Sequence, residues 1–205
     1  AVTPDGAQVL VAGALSDTVA VFSRDAATGA VALLQVLRDG LDGVDGLDLV
    51  QTVIVSAGGR FVYAAGLADD AIAIFERDTE TGELAYLTAV ENGLAGVTGL
   101  DGVRGLAMTP DGTFLFATSY NDDAVAVFRR DGLTGLLAEL QVAHDGIGDF
   151  AGLDGARAIA VSPDGRDLYA LGEYDDAIAV LTRVGQARCG AGGASDIADI
   201  VDLAV

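Results

Sequence analysis

A repeat with a period of 53 residues constrains this chain more than any other feature of it. Thr3-Pro4-Asp5-Gly6 returns as Ser56-Ala57-Gly58-Gly59, Thr109-Pro110-Asp111-Gly112 and Ser162-Pro163-Asp164-Gly165, so the turns at 4, 57, 110 and 163 keep register without insertion. Asp17, Asp70, Asp123 and Asp176 hold one phase of the repeat, and Arg24, Arg77, Arg130 and Arg183 hold another. Phe22, Phe75 and Phe128 give way to Leu181. Thr28-Gly29, Thr81-Gly82 and Thr134-Gly135 recur, as do Gly46-Leu47-Asp48, Gly99-Leu100-Asp101 and Gly152-Leu153-Asp154. A unit of this size cannot bury its apolar face alone and must stack on its neighbours.

Within a repeat the pattern is short strands between turn residues. Gly105 to Met108 leads into Pro-Asp-Gly, followed by Phe114 to Ala117, Asp123 to Phe128 and Leu136 to Val142. Proline presets φ and glycine tolerates positive φ, so Pro-Asp-Gly closes a tight hairpin. The third strand is apolar on both of its alternating faces, as befits a strand sandwiched between two other sheets. Small alanines on one face allow those sheets to approach closely. Four-stranded sheets repeating at this spacing predict an all-β propeller of four blades over residues 1–185. Residues 186–205 form a divergent tail, either a closing strand or the start of a following β-domain. Asp199 to Val205 is one candidate for the innermost strand that the first repeat lacks. The blades either close as four, form half of a larger propeller, or pair with a second copy into eight, which seals both exposed edges.

Half of the residues are apolar (51%), which excludes intrinsic disorder. The net charge of −20 comes from 31 acidic residues against 11 basic ones, all arginine. Such a surface repels phosphate backbones and anionic lipid, so nucleic acid is not an expected partner. No apolar run approaches the roughly 18 residues of a membrane span, and membrane insertion is not expected. Cys189 stands alone and cannot form an internal disulfide. The start at Ala1, without an initiator Met or signal peptide, reads as a processed end or an excerpt.

Ser-Pro-Asp-Gly-x-x-Leu-Tyr (162–169), Asp-Asp-Ala-Ile-Ala-Val-Leu (175–181) and Arg-Asp-x-x-Thr-Gly-x-Leu resemble the lactonase-like β-propeller family across about residues 1–183. The resemblance implies a propeller blade of that type. The family's members include sugar-phosphate lactonases, carboxymuconate-cyclising enzymes and bacterial surface proteins, and its enzymes normally have seven blades. The spacer from Asp145 to Arg157 resembles the surface-protein variety. In the tail, Ala187 to Gly193 and Asp196 to Leu203 resemble part of an immunoglobulin-like surface repeat.

Hairpins of an antiparallel blade alternate between its two ends. The Pro-Asp-Gly and Thr-Gly turns therefore share one face, and the Asp-Asp turn shares the other with the long return loop. That return face carries Asp17, Asp69, Asp70, Asp122, Asp123, Asp175 and Asp176, together with Asp39, Asp45, Asp48, Asp101, Asp145, Asp149 and Asp154. Carboxylates with glycine-freed carbonyls suit Ca²⁺, for which Asp70, Asp123 and Asp176 are the candidate ligands. The other reading makes each of these a cap on amides of its own turn. No other cofactor is expected. Asp101, Arg104, Asp154 and Arg157, where the return loop meets the innermost strand, are candidates for a ligand site at the axial channel, or else form ion pairs between blades. Arg38, Glu91 and His144 share one phase but fall where the outermost strand ends, too far from the axis to converge. The invariant arginines are expected to pair with Asp5, Asp111 or Asp164.

From sequence, then, the leading expectation is a non-catalytic extracellular or cell-surface module that binds a protein or glycan through its acidic loop face, as a homodimer or beside neighbouring domains. The alternative is a lactonase-type hydrolase or isomerase acting at the propeller channel.

Overall fold

The computed structural model describes residues 1–183 and the strand at 200–204, and its regular structure there is entirely β. The first sheet contains β1 (Gln8–Gly13), β2 (Thr18–Arg24) and β3 (Val31–Arg38). The second contains β4 (Val50–Val55), β5 (Phe61–Gly66), β6 (Ala71–Arg77) and β7 (Leu84–Glu91). The third runs through β8 (Val103–Met108), β9 (Phe114–Ser119), β10 (Ala124–Arg130) and β11 (Leu137–His144). The fourth holds β12 (Ala156–Val161), β13 (Asp167–Gly172), β14 (Ala177–Arg183) and β15 (Ile200–Ala204). All pairings are antiparallel between sequence neighbours, so each sheet is a meander and the chain is a propeller of four consecutive blades.

The first strands of the complete sheets, β4, β8 and β12, lie side by side and are the innermost of their blades. In the first blade that strand is reduced to Ala1 and Val2, whose trace is a single bridge from Val2 to Val9. Among the described residues of the tail, Ile200–Ala204 does not supply it. That strand adds instead to the open edge of β14 as the outer strand of the fourth sheet.

Three apolar layers lie between the sheets. Alternate residues of one strand feed different layers: Val62, Ala64, Ala73 and Phe75 pack toward the first blade, whereas Tyr63, Ala65, Ile72 and Ile74 pack toward the third. β5 is accordingly buried at every position. Each large side chain buried in this way contributes about 1.5–3 kcal/mol.

The invariant arginines brace the Pro-Asp-Gly face. Arg24 Nη1, Arg77 Nη1 and Arg130 Nε donate to the glycine carbonyls of Gly6, Gly59 and Gly112 in their own blades. Arg77, only 2% exposed, also reaches across to Asp5 of the first blade (2.8 Å) and to Gln8. The second blade has Gly58 where its neighbours have Asp, so Arg130 has no such carboxylate to meet.

Candidate functional site

On the return face, three successive backbone amides at the end of each return loop are held by carboxylates or amides from three separate loops. Leu47 N–H donates to Asp39 (3.0 Å), Asp48 N–H to Asp69 (2.7 Å) and Leu49 N–H to Asp17 (3.0 Å). The next loop repeats this with Leu100 to Asn92, Asp101 to Asp122 and Gly102 to Asp70. In the last, Leu153 donates to Asp145, Asp154 to Asp175 and Gly155 to Asp123. The third acceptor in each set comes from the preceding blade. Asp17, Asp70 and Asp123 therefore fasten one blade to the next, and the amide that each binds lies 32 residues ahead and outside its own turn. All four invariant aspartates, Asp176 included, adopt positive φ near 50°.

Beside this scaffold, where the return loops enter the innermost strands, side chains of the third and fourth blades come together. The pairing of each innermost strand with its neighbour carries a β-bulge at one repeat position, and the extra residue is Gln51, Arg104 or Arg157. Bulges re-aim a side chain without ending the strand. Arg104 lies 4.2 Å over the Tyr120 ring, and its buried Nε has no hydrogen-bond partner. Arg157 pairs with Glu173 at 3.0 Å. Tyr120 and Tyr174 join the two blades through a hydrogen bond between their hydroxyls, with ring centroids 5.6 Å apart. Asn121 donates to Asp101 at 2.7 Å. Gly155 is required beneath the tyrosines: its φ is +65°, and a Cβ there would stand 2.8 Å from the Tyr174 ring.

Of the four residues singled out from sequence, Asp101 and Arg104 lie in the third blade and Asp154 and Arg157 in the fourth, where each return loop enters the innermost strand. The arginines take partners from their own blades, an aromatic ring for one and a glutamate for the other, in place of Asp101 and Asp154. Tyr120, Asn121, Glu173 and Tyr174 are additions the sequence did not reveal, because their phase carries Leu67 and Ala68 in the second repeat and no shared pattern.

The candidate metal ligands Asp70, Asp123 and Asp176 sit one per blade, and the first two already accept loop amides. Among the described residues, the carboxylates that come together are Asp39, Asp45 and Asp69, with oxygens within 4.8 Å of one another. Arg38, Glu91 and His144 end the outermost strands of three different sheets, on the rim as expected.

The two faces differ in how they treat charge. On the return face burial, joined by neighbouring carboxylates, raises the pKa of Asp69, Asp70 and Asp154. On the opposite face hydrogen bonds from hydroxyls and amides lower those of Asp25, Asp78, Asp131 and Asp164, and hold Asp5 at about 2.

Comparison with known proteins agrees with this architecture. A putative 6-phosphogluconolactonase from Bacteroides uniformis superposes with a TM-score of 0.71 at 20% identity, over 90% of this chain and 49% of that one. The periplasmic gluconolactonase of Pseudomonas aeruginosa gives 0.67 at 23% identity, over 90% and 49%. A protein from Lactobacillus plantarum gives 0.71 at 21%, over 87% and 51%. The chain thus spans about half the length of these structures, and at such identities the likeness is one of fold. No curated protein matches the sequence. The family model described as "Lactonase, 7-bladed beta-propeller" matches residues 1–147, which is most of the chain. With its blade repeat, its strand order and this match, the chain belongs to the seven-bladed lactonase β-propeller family.

Proposed function

We propose that this chain supplies a wall of the channel in a lactonase-type propeller, and that its mouth binds and hydrolyses the lactone of a sugar acid. The observation that carries this reading is the pair of bulge arginines, Arg104 and Arg157, set among Tyr120, Tyr174 and Glu173, with Asp154 joined to them through its carbonyl, which accepts the Tyr174 amide (3.1 Å). Guanidinium groups hold a carboxylate, a phosphate or the oxyanion formed as water attacks a carbonyl. Tyrosine faces and hydroxyls suit a polyhydroxylated ring. Asp154, whose pKa is raised by burial and by the carboxylates of Asp123, Asp175 and Asp145, is placed to take a proton from the attacking water. Water then bonds to the lactone carbonyl carbon, the ring C–O bond breaks, and the ring oxygen takes up the proton.

The experiment is a pH-stat assay of acid release from gluconolactone and its 6-phosphate, corrected for spontaneous opening. Turnover is expected, with kcat/KM falling about 10²-fold or more in Arg157→Ala and in Asp154→Asn. A rate equal to the spontaneous one would sink the proposal.

The tethered carboxylates of the return face favour a second reading, a non-catalytic module exported to the cell surface that binds a basic protein or a glycan. Binding in a glycan or peptide array without any turnover would select it.

A further inference from the structure

The arginine that ends the third strand of a blade meets different neighbours at each junction on the Pro-Asp-Gly face. Between the first and second blades, Arg77 gives Nη1 to the Gly59 carbonyl of its own blade (3.1 Å) and Nη2 to the Asp5 carboxylate of the preceding one (2.8 Å), with Gln8 beside it. Between the third and fourth, Arg183 lies 5.1 Å over the Phe114 ring, at the repeat position of Gln8, and Asp111 stands at that of Asp5. Burial raises the pKa of Asp111, but hydrogen bonds with Thr109 and Thr113 and the charge of Arg183 bring it below the ordinary value. Between the second and third, the same two positions are Phe61 and Gly58, and neither side chain carries an oxygen.

Arg130 is fixed at this junction all the same. Its Nε donates to the Gly112 carbonyl (2.6 Å), its guanidinium lies 5.9 Å from the centre of the Phe61 ring, and Nη1 reaches the Asp131 carbonyl only at 3.4 Å. Among the described residues no carboxylate is ion-paired with it. The Asp131 carboxylate is taken up by the amides of Leu133 and Thr134. Asp78, its counterpart beside Arg77, is taken up in the same way by Glu80 and Thr81, and Arg77 pairs with Asp5 nonetheless. Arg60, near the same Phe61 ring, is already neutralised by Glu76 (2.8 Å). Arg130 therefore holds an uncompensated charge, half-buried, beside the turn of the second blade: its Nη2 and the Ala57 Cβ stand 3.1 Å and 3.8 Å from where a Cβ on Gly112 would lie. Neither packing nor backbone requires glycine at position 58. A Cβ there would meet nothing within 4 Å, and its φ lies outside the left-handed region.

We infer that Arg130 is a receptor for a carboxylate from outside the chain, a small organic acid whose carboxylate stands above Gly58 as that of Asp5 stands against Arg77. A planar carboxylate matches the edge of a guanidinium, and an arginine already held by a carbonyl and a ring loses little freedom on binding it. The site lies on the face opposite Arg104 and Arg157 and does not depend on lactone hydrolysis. The net charge of −20 repels anions at long range, but that repulsion is screened beyond about 8 Å at physiological ionic strength.

Acetate is the probe, exchanged for chloride at constant ionic strength while the side-chain Nε–Hε signals of ¹⁵N-arginine-labelled protein are followed by NMR. The Arg130 signal, assigned by its loss in Arg130→Gln, should shift saturably. That of Arg77, whose carboxylate comes from within the chain, should stay in place. Gly58→Asp, with its fold checked by circular dichroism, should raise the apparent Kd for acetate about tenfold or more, because a tethered carboxylate competes at an effective concentration of about millimolar or higher. An Arg130 signal that does not saturate, that moves no further than that of Arg77, or that responds identically in Gly58→Asp overturns the inference. Inorganic phosphate that shifts the signal at lower concentration than acetate would overturn the choice of a carboxylate.

Discussion

Asp70 shows how much one side chain does in this molecule. It holds a left-handed backbone conformation (φ 51°), its carbonyl accepts the Asn92 amide, and its carboxylate accepts the amide of Gly102 in the next blade. Replacement by alanine strands that amide and keeps the strained φ without the polar side chain that offsets it, so Asp70→Ala should lose about 1–3 kcal/mol in urea denaturation. Asp70→Asn retains an acceptor oxygen and a residue type tolerant of positive φ, and should lose less than half as much. Equal losses in the two variants would show that the carboxylate charge, and not its hydrogen bond, fastens the blades. The invariance of this aspartate across four repeats already pointed to a scaffold role. Its actual partner was not legible, because a bond across 32 residues exists only once the blades have stacked.

At the scale of the element, the Thr-Gly turn shows how a local motif is drafted into packing between blades. Asp131 accepts the amides of Leu133 and Thr134, which shapes the turn from within. Gly135 then presses its backbone onto the second blade: Tyr63 donates its hydroxyl proton to the Gly135 carbonyl (2.8 Å), and a Cβ on Gly135 would stand 2.3 Å from the Phe61 ring. With φ at +76° as well, Gly135→Ala is expected to cost about 2–4 kcal/mol in thermal or urea unfolding. Gly29, at the same phase in the first blade, has no atom within that reach, so Gly29→Ala should cost only the conformational strain, about 1–2 kcal/mol. A smaller loss at Gly135 than at Gly29 would refute this account. The motif is equally plain in the sequence at both positions; only packing against another blade separates them.

Over the whole molecule, the contrast between the two faces predicts an unusual dependence of stability on pH. Asp69, Asp70 and Asp154 have folded pKa values above the ordinary 3.8. Between that value and their folded pKa the native state binds more protons than the unfolded chain, so their charged forms weaken the fold near neutrality and the strain is relieved as pH falls. Asp5, Asp25, Asp78, Asp131 and Asp164 have folded values below 3.8, so the stability they contribute is present above 3.8 and is lost as pH drops through those lower values. Melting temperature should rise as pH falls from neutrality toward 3.8 and decline below it, a course that the relief of a net charge of −20 reinforces. A monotonic decline from pH 7 downward would contradict it.

The periodicity of the sequence determined the blade count, the strand order, the turn positions and the scaffold role of the repeated Asp and Arg. These rest on interactions within one repeat, or between identical repeats, and any period of the sequence displays them. Tertiary structure alone decided which amides the aspartates capture and where the tail strand adds. It also placed Arg104 and Arg157 on bulges beside Tyr120, Glu173 and Tyr174. Those features depend on how one sheet is set against the next and on where a strand slips by one residue, and the linear spacing of residues is the same whichever way those choices fall.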